Sequence, residues 1–296
     1  MNILDHIKLT FLRENSITKL IFINLIVFVV LKMTLIFLLL FNISGSFLLP
    51  YLAVPADLTQ LLHRAWTPVT YMFLHEGFMH LFFNMFSLYW FGKIFLMCFS
   101  EKQLIGLYVV GGLLAALFYI SAFNIFPYYA GNLHQSLLLG ASGSIMAIIV
   151  ASAIQMPNME MQLVFMGSIK LKYIASVVVL MSFFGITSDN GGGQLAHLGG
   201  ALAGYLFVLS LRQGKDVTLG ISWFLDAINN AFQPRKLKVK PNKTRNKQTM
   251  TDAEFNINKA RKMAQIDQIL DKIKTSGYES LSSEEKKRLF EQGNRN

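Results

Sequence analysis

Two histidines and an asparagine are spaced so that a helix would place hydrogen-bonding groups on one of its faces. His80 and Asn84 are four residues apart, and an α-helix stacks such a pair about 6 Å from each other. His75 precedes them at the start of an apolar stretch. Polar side chains inside such a stretch are costly and tend to mark functional sites. The alternatives are interhelical hydrogen bonding for His80 and Asn84 and an interfacial position for His75.

A serine flanked by glycines begins another apolar stretch, in the run Gly140-Ala141-Ser142-Gly143. The glycines remove side-chain bulk around the hydroxyl and leave backbone N–H groups accessible at a helix N-terminus. A nucleophilic serine needs these surroundings, because hydrogen-bond donors must meet the oxyanion that develops when a carbonyl is attacked. Packing of small residues between helices is the alternative explanation of this motif.

A further histidine can supply the base that such a serine requires, since a hydroxyl is a weak nucleophile until an adjacent group takes its proton. His197 is followed by Gly200 and Gly204, a GxxxG spacing that permits very close contact between helices. His134 is a weaker candidate for the base. It lies in the loop before Ser142, outside the glycine-rich stretches.

The elements that position these residues are expected to lie in a membrane. Of the 296 residues, 53% are hydrophobic and 15% are charged, whereas soluble domains carry about 25% charged residues. The lone Cys98 excludes an intramolecular disulfide framework and a cysteine-based metal cluster. The chemistry described above requires no metal and no cofactor.

Six apolar stretches predict an all-α membrane protein with six transmembrane helices, each needing about 20 mostly apolar residues. The first stretch is too long for a signal peptide and lacks a cleavage pattern after it. Residues 42–77 carry Pro50, Pro55 and Pro68 and predict a long, partly embedded outer loop between the first two spans. The spans are expected at 19–41, 78–99, 103–126, 138–156, 173–186 and 195–211.

Basic residues orient this bundle, because cytoplasmic loops carry an excess of Lys and Arg. With a cytoplasmic N-terminus the outer segments contain only Arg64, and both termini lie inside. Residues 1–18 include an amphipathic run that predicts a segment lying on the cytoplasmic surface. The inner segments then contain Lys8, Arg13, Lys19, Lys102, Lys170 and Lys172, with Lys93 near that face.

The last 85 residues differ in character, since they hold 18 of the 27 Lys and Arg residues. Residues 212–250 predict an interfacial helix around Trp223 and Phe224, followed by a basic linker. Such linkers are typically solvated and disordered, but each cation near an anionic leaflet is worth about 1 kcal/mol, which is compatible with binding to lipid headgroups. Nucleic-acid binding is not expected. Residues 251–296 predict a small helical cytoplasmic appendage with capping boxes, Thr251 with Glu254 and Ser282 with Glu285.

The three polar sites, in this order on the second, fourth and sixth predicted spans, resemble the rhomboid family of intramembrane serine proteases. The resemblance covers about residues 19–211, which would form a six-span rhomboid-like protease domain. It implies that Ser142, in the GxSG motif with Gly140 and Gly143, is the nucleophile. It implies that His197, in the AHxxG motif that ends at Gly200, is the general base.

The same resemblance assigns the residues of the first motif. Asn84 and His80 would help to bind the oxyanion, and His75 would support them from nearby. Two positions depart from the family pattern: Thr67 stands where many members have an arginine, and Met146 stands where many have an aromatic residue that stacks on the catalytic imidazole. Methionine can still pack against a ring through its thioether, so we expect a working pair with different support.

The sequence therefore predicts a serine endopeptidase that cleaves transmembrane segments of single-span membrane proteins. A bacterial inner membrane is expected, because the C-terminal tail is similar to an appendage of some bacterial rhomboid-like proteins. The main alternative is a catalytically inactive rhomboid-like protein that binds membrane clients, although such proteins characteristically lack the serine or the histidine. A transporter would show inverted repeats or paired broken helices, and the halves of this chain show no repeat.

Overall fold

The computed structural model describes residues 15–163, 167–232 and 252–293. These residues belong to two compact units, 15–232 and 252–293. Several predictions concern segments outside the described residues: the N-terminal segment as far as residue 14, the basic linker after residue 232, and the capping box at Thr251.

The first helix, α1 (Ser16–Leu40), begins earlier than the span predicted from hydropathy. The side chain of Asn15 caps it by accepting a hydrogen bond from the backbone N–H of Thr18 at 3.0 Å. Among the residues that the structure describes, three helices are long and apolar enough to cross a membrane: Ser16–Leu40, Glu101–Ile125 and Gly191–Arg212. Shorter apolar helices cover Ser142–Gln155 and Leu171–Thr187.

The predicted outer loop is largely ordered into short helices. They are α2 (Leu48–Leu52), α3 (Leu58–Leu62) and α4 (Thr67–Thr70), and a 3₁₀ turn over Tyr71–Phe73 follows. Side-chain donors tie the loop together, since Arg64 Nη1 donates to the Pro50 carbonyl at 2.9 Å and Trp66 Nε1 donates to the Tyr51 carbonyl at 2.8 Å. Strand β1 (Val54–Pro55) pairs antiparallel with β2 (Leu137–Leu138), so the loop is joined to the segment just before Ser142.

Five further helices complete the bundle of the first unit. A capping box of Ser100 and Gln103 starts the second of them. The antiparallel strands β3 (Glu160–Leu163) and β4 (Gly167–Lys170) lie between the third and the fourth. The helices are α5 (Phe78–Phe95), α6 (Glu101–Ile125), α7 (Ser142–Gln155), α8 (Leu171–Phe184) and α9 (Gly191–Arg212).

Glycines bring α9 into backbone contact with α7. A Cβ added at Gly200 would lie 2.0 Å from the Gly143 carbonyl oxygen, and one at Gly204 would lie 2.3 Å from the Ala147 carbonyl oxygen. The close helix contact predicted from the GxxxG spacing is therefore confirmed. Because Gly143 follows Ser142 and Gly200 follows His197 by three residues, this contact fixes the distance between the two helices that carry the predicted catalytic pair.

Helix α10 (Leu219–Phe232) lies where the interfacial helix was predicted. It is joined to the start of α6 by a hydrogen bond of 2.7 Å between Lys102 Nζ and an Asp226 carboxylate oxygen. The Trp223 side chain is 73% exposed.

The second unit contains α11 (Asp252–Ser276) and α12 (Ser283–Gly293). Ile269 of α11 and Leu281, which precedes α12, are buried. The capping box predicted at Ser282 is confirmed: the backbone N–H of Ser282 donates to Glu285 at 2.7 Å, and that of Glu285 donates to Ser282 Oγ at 3.3 Å. The backbone N–H of Ser282, and then the ammonium group of Lys272, hold the pKa of the Glu285 carboxyl below its usual value.

Candidate active site

A cavity of about 750 Å³ opens between α5, α7 and the start of α9. The structure brings four of the predicted site residues together on its wall: Ser142, His197, His80 and Asn84. Three separate helices supply them, as the order of the motifs along the chain required. Other lining residues include Glu76, Tyr119, Ser136, Asp189 and Asn190.

Ser142 is the first residue of α7, and its half-buried side chain faces the cavity. Gly140, two residues earlier, has φ +123°, which L side chains rarely adopt. A Cβ added there would also lie 2.9 Å from His80 Nε2 and 3.8 Å from Ser142 Oγ. Gly140 is therefore required both for the backbone turn and for the approach of His80 to Ser142.

Tyr71, in the segment 42–77, holds the turn before Ser142 in place. The backbone N–H of Gly140 donates to the Tyr71 carbonyl at 3.0 Å. The Tyr71 hydroxyl donates to the Gly112 carbonyl in α6 at 2.6 Å. Tyr71 thus connects α6 to the segment that carries Ser142. No feature of the sequence marked Tyr71 for this role.

His80 and Asn84 lie one turn apart on α5, as their spacing predicted. Asn84 is buried and uses one of its amide protons to donate to the His80 carbonyl at 2.9 Å, which leaves the other available to a substrate oxygen. His75 is 1% exposed, and its ring meets the ring of His80 edge to face at a centroid distance of 5.1 Å. The structure places His75 behind His80, consistent with a supporting position.

His197 lies two turns into α9, with its half-buried side chain on the cavity wall. Its Nδ1 atom is 3.2 Å from the hydroxyl oxygen of Ser182 on α8. Ser182 is 2% exposed. Reasoning from the sequence missed this residue, because a single serine in an apolar helix carries no distinguishing signal.

His134, the weaker candidate base, is occupied elsewhere. Its Nδ1 atom lies 2.6 Å from an Asp57 carboxylate oxygen, and its side chain is 77% exposed. The Asp57 carboxylate also accepts hydrogen bonds from the backbone N–H and the hydroxyl of Thr59, at 2.8 and 2.7 Å. The Thr59 hydroxyl, and then His134, hold the pKa of the Asp57 carboxyl well below its usual range. His134 therefore tethers the segment 42–77 and does not line the cavity.

This tether predicts a pH-dependent contribution to stability. Because the pKa of Asp57 is lower in the folded protein, the carboxylate stabilises the fold above its unfolded pKa of about 3.9 and loses this effect as the pH falls below that value. Asp57→Asn should lower the Tm at about pH 7 and should have a smaller effect at about pH 3. Thermal unfolding in detergent micelles measures both. Equal losses of Tm at the two pH values would contradict the assignment.

Met146, four residues after Ser142, is buried in an apolar cluster with Val150 of α7 and Ala201 of α9. Val178 and Val179 of α8 pack against this cluster. The thioether therefore occupies the space between three helices of the site. A larger aromatic side chain would have to displace these neighbours.

For the protease that the family resemblance implies, Met146→Tyr is expected to change the cleavage rate by a modest factor, about tenfold or less. Overpacking costs about 1–3 kcal/mol and is partly relieved by side-chain shifts. The rate of cleavage of a reporter protein in liposomes measures the effect. Met146→Leu, which roughly conserves volume, is the matched control. Complete loss of activity in Met146→Tyr with retained folding would contradict this account of the packing.

The sequence comparisons identify the family. Residues 62–214, just over half of the chain, match the Rhomboid domain family, and the chain therefore belongs to the rhomboid family. The family predicted from the three motifs is confirmed. Residues 249–294 match a family of unknown function (DUF6576).

The chain is also similar to a rhomboid-like protein of a fish. The chain is 29% identical over 147 residues, 46% of its length, to Presenilin-associated rhomboid-like protein A, mitochondrial, from Danio rerio. The similarity spans 35% of that relative's length.

Proposed function

We propose that this chain is an intramembrane serine endopeptidase in which Ser142 and His197 form the catalytic pair. The observation that carries the proposal is the convergence of Ser142, His197, His80 and Asn84 on one cavity from three helices. Polar groups inside an apolar bundle cost free energy, and such groups tend to mark functional sites. Membership of the rhomboid family supports the same reaction class.

The proposed reaction begins when His197 takes the hydroxyl proton of Ser142 as Oγ attacks the scissile carbonyl carbon. The tetrahedral intermediate then breaks its carbon–nitrogen bond, and the protonated imidazole gives its proton to the leaving amine. Water, activated by His197, attacks the resulting ester and releases the acid, which regenerates the serine hydroxyl. Each step uses only groups on the cavity wall and water.

The oxyanion of the intermediate would be bound by Asn84, His80 and a backbone N–H in the first turn of α7. First-turn N–H groups of a helix lack intrahelical partners and point toward the N-terminus, where Ser142 lies. Asn84 keeps one amide proton available, and His80 approaches Ser142 across Gly140. In serine proteases the loss of one such donor costs about 10²–10³ in rate.

The proposed arrangement in the membrane has six spans, with both termini in the cytoplasm. Ser142 and His197 then lie near the outer ends of their helices, where hydrolytic water is accessible. The substrate must offer a carbonyl free of helical hydrogen bonds. We therefore propose that the substrates are single-span proteins whose helix is weakened near its outer end by Gly, Pro or other small residues.

We also propose a location for the protein and roles for the part of the chain after α9. The proposed location is a bacterial inner membrane, which the likeness of the tail to appendages of some bacterial rhomboid-like proteins supports. The surface helix α10, with exposed Trp223 and Phe224, and the basic linker after it would bind anionic headgroups at the cytoplasmic face. The second unit would be a cytoplasmic appendage.

Reconstitution tests the proposed function. The protein and a single-span reporter with a glycine-rich outer helix end are placed together in liposomes, and cleavage by wild type is compared with that by Ser142→Ala. We expect a discrete cleavage product with wild type only. Stable binding of the reporter without any cleavage would favour the catalytically inactive client-binding protein. Equal cleavage by both proteins would exclude Ser142 as the nucleophile.

A further inference from the structure

Helix α8 directs one buried hydroxyl at the histidine of the site. The buried residues of α8 in the described structure are Leu171, Ala175 and Ser182. Ser182 Oγ donates to the Val178 carbonyl at 3.0 Å and lies 3.2 Å from His197 Nδ1. We propose that Ser182 is a positioning residue, which fixes the tautomer and the orientation of His197. The proposal rests on the proposed function, in which His197 is the general base.

The Ser182 hydroxyl has a single proton to donate. In the proposed arrangement that proton points to the Val178 carbonyl, one turn earlier on the same helix, and not to His197 Nδ1. Toward His197, the Ser182 oxygen therefore presents lone pairs and can only accept. A neutral imidazole that donates from Nδ1 carries no proton on Nε2. The contact with Ser182 consequently selects the tautomer in which Nε2 is free to act as a base.

The geometry of the imidazole ring adds an orientation to this choice. Nδ1 and Nε2 lie on opposite sides of the ring, so holding Nδ1 toward α8 turns Nε2 away from α8. His197 and Ser142 both line the cavity between α9 and α7. The Ser182 contact thus turns the basic nitrogen toward the side of the site where Ser142 lies, which is the arrangement that proton transfer requires.

A neutral hydroxyl holds the ring without adding a charge to it. A neutral hydrogen bond contributes less free energy than a charged one. Its loss corresponds to roughly a tenfold change in rate when the bond acts in the transition state. Ser182 is therefore expected to affect the chemical step and not the binding of substrate. Ser182→Ala should lower kcat about tenfold with little change in KM, and Ser182→Thr, which keeps a hydroxyl, should retain most of the activity.

Ser152 provides a matched control. It is a buried serine on α7 whose hydroxyl donates to the Ile148 carbonyl one turn earlier at 2.8 Å, the same type of bond that Ser182 makes to Val178. It lies two turns or more away from Ser142 along the helix. Ser152→Ala should have wild-type kcat and a Tm similar to that of Ser182→Ala. A purely structural role of Ser182 would affect both variants alike.

The decisive readout is the tautomer itself. Full-length protein with ¹⁵N-labelled histidine is reconstituted in lipid, and the signals of His197 are identified by their absence in His197→Ala. We expect a protonated Nδ1 and an unprotonated Nε2 in wild type, and a mixture of tautomers in Ser182→Ala. An Nε2-protonated ring in wild type would overturn the proposal. So would an unchanged kcat in Ser182→Ala.

The two proposals fail in distinguishable ways. If wild-type protein cleaves no reporter while the Nδ1-protonated tautomer depends on Ser182, the contact exists and the proposed function is wrong. If wild type cleaves and the tautomer is independent of Ser182, the proposed function stands and the role of Ser182 is wrong.

Discussion

Ser142→Ala and His197→Ala are each expected to slow cleavage of a reconstituted reporter by about 10⁴-fold or more, and the double variant is expected to be no slower than either. Groups that act in one proton transfer are not additive, because removal of either one abolishes the step that both serve. Without the base the hydroxyl remains a weak nucleophile, and without the hydroxyl the base has nothing to activate.

The control for this experiment is Ser144→Ala. Ser144 lies two residues after Ser142 on α7, is 1% exposed, and its hydroxyl has no hydrogen-bond partner in the described structure. Removal of the Ser144 hydroxyl should leave the cleavage rate within a few-fold of wild type. The substitution only loosens a close contact between that hydroxyl and Gly112. If the two residues acted independently, the rate loss of the double variant relative to wild type would equal the product of the two single losses. That outcome would contradict a shared proton transfer.

The second large effect is expected at Gly200, where alanine should destabilise the bundle and lower cleavage by about 10²-fold or more. By helix propensity alone alanine would be favoured over glycine by about 1 kcal/mol. The added Cβ, however, would lie 2.0 Å from the Gly143 carbonyl oxygen and 2.9 Å from its carbon. Backbone atoms cannot rotate away, so α9 must separate from α7, and His197 then moves away from Ser142.

Gly220→Ala is the matched control for this packing argument. Gly220 lies in the first turn of α10, and nothing lies within 4 Å of a Cβ added there. We expect its Tm to equal or slightly exceed that of wild type, while the Tm of Gly200→Ala falls clearly below it. Thermal unfolding in detergent micelles and the liposome cleavage rate measure both variants. Equal behaviour of the two would contradict the inferred backbone contact.

The site was predictable wherever the chemistry leaves a local mark in the sequence. His80 and Asn84 share a helix face because four residues make about one turn, and the structure places them accordingly. Gly200 and Gly204 predict a close helix contact because only small residues permit it, and the carbonyls of Gly143 and Ala147 fill that space.

Contacts between distant segments left no such mark. Ser182 contacts His197 because α8 packs against α9 with these two residues at the same level. The spacing of residues within either helix does not encode that alignment. The partner of His134 was hidden for the same reason, since Asp57 is distant in sequence and is brought near by the pairing of β1 with β2. Hydropathy also placed the start of α1 too late, because the cap at Asn15 decides where the helix begins.

The central claim is that Ser142 is a nucleophile activated by His197, and covalent labelling tests it without knowledge of the substrate. The full-length protein in lipid is treated with a fluorophosphonate, digested, and the modified serine is located by mass spectrometry. The account predicts a single adduct on Ser142, absent in Ser142→Ala and strongly slowed in His197→Ala. Undiminished labelling of Ser142→Ala, or an adduct on Ser142 that forms as fast without His197, would contradict it.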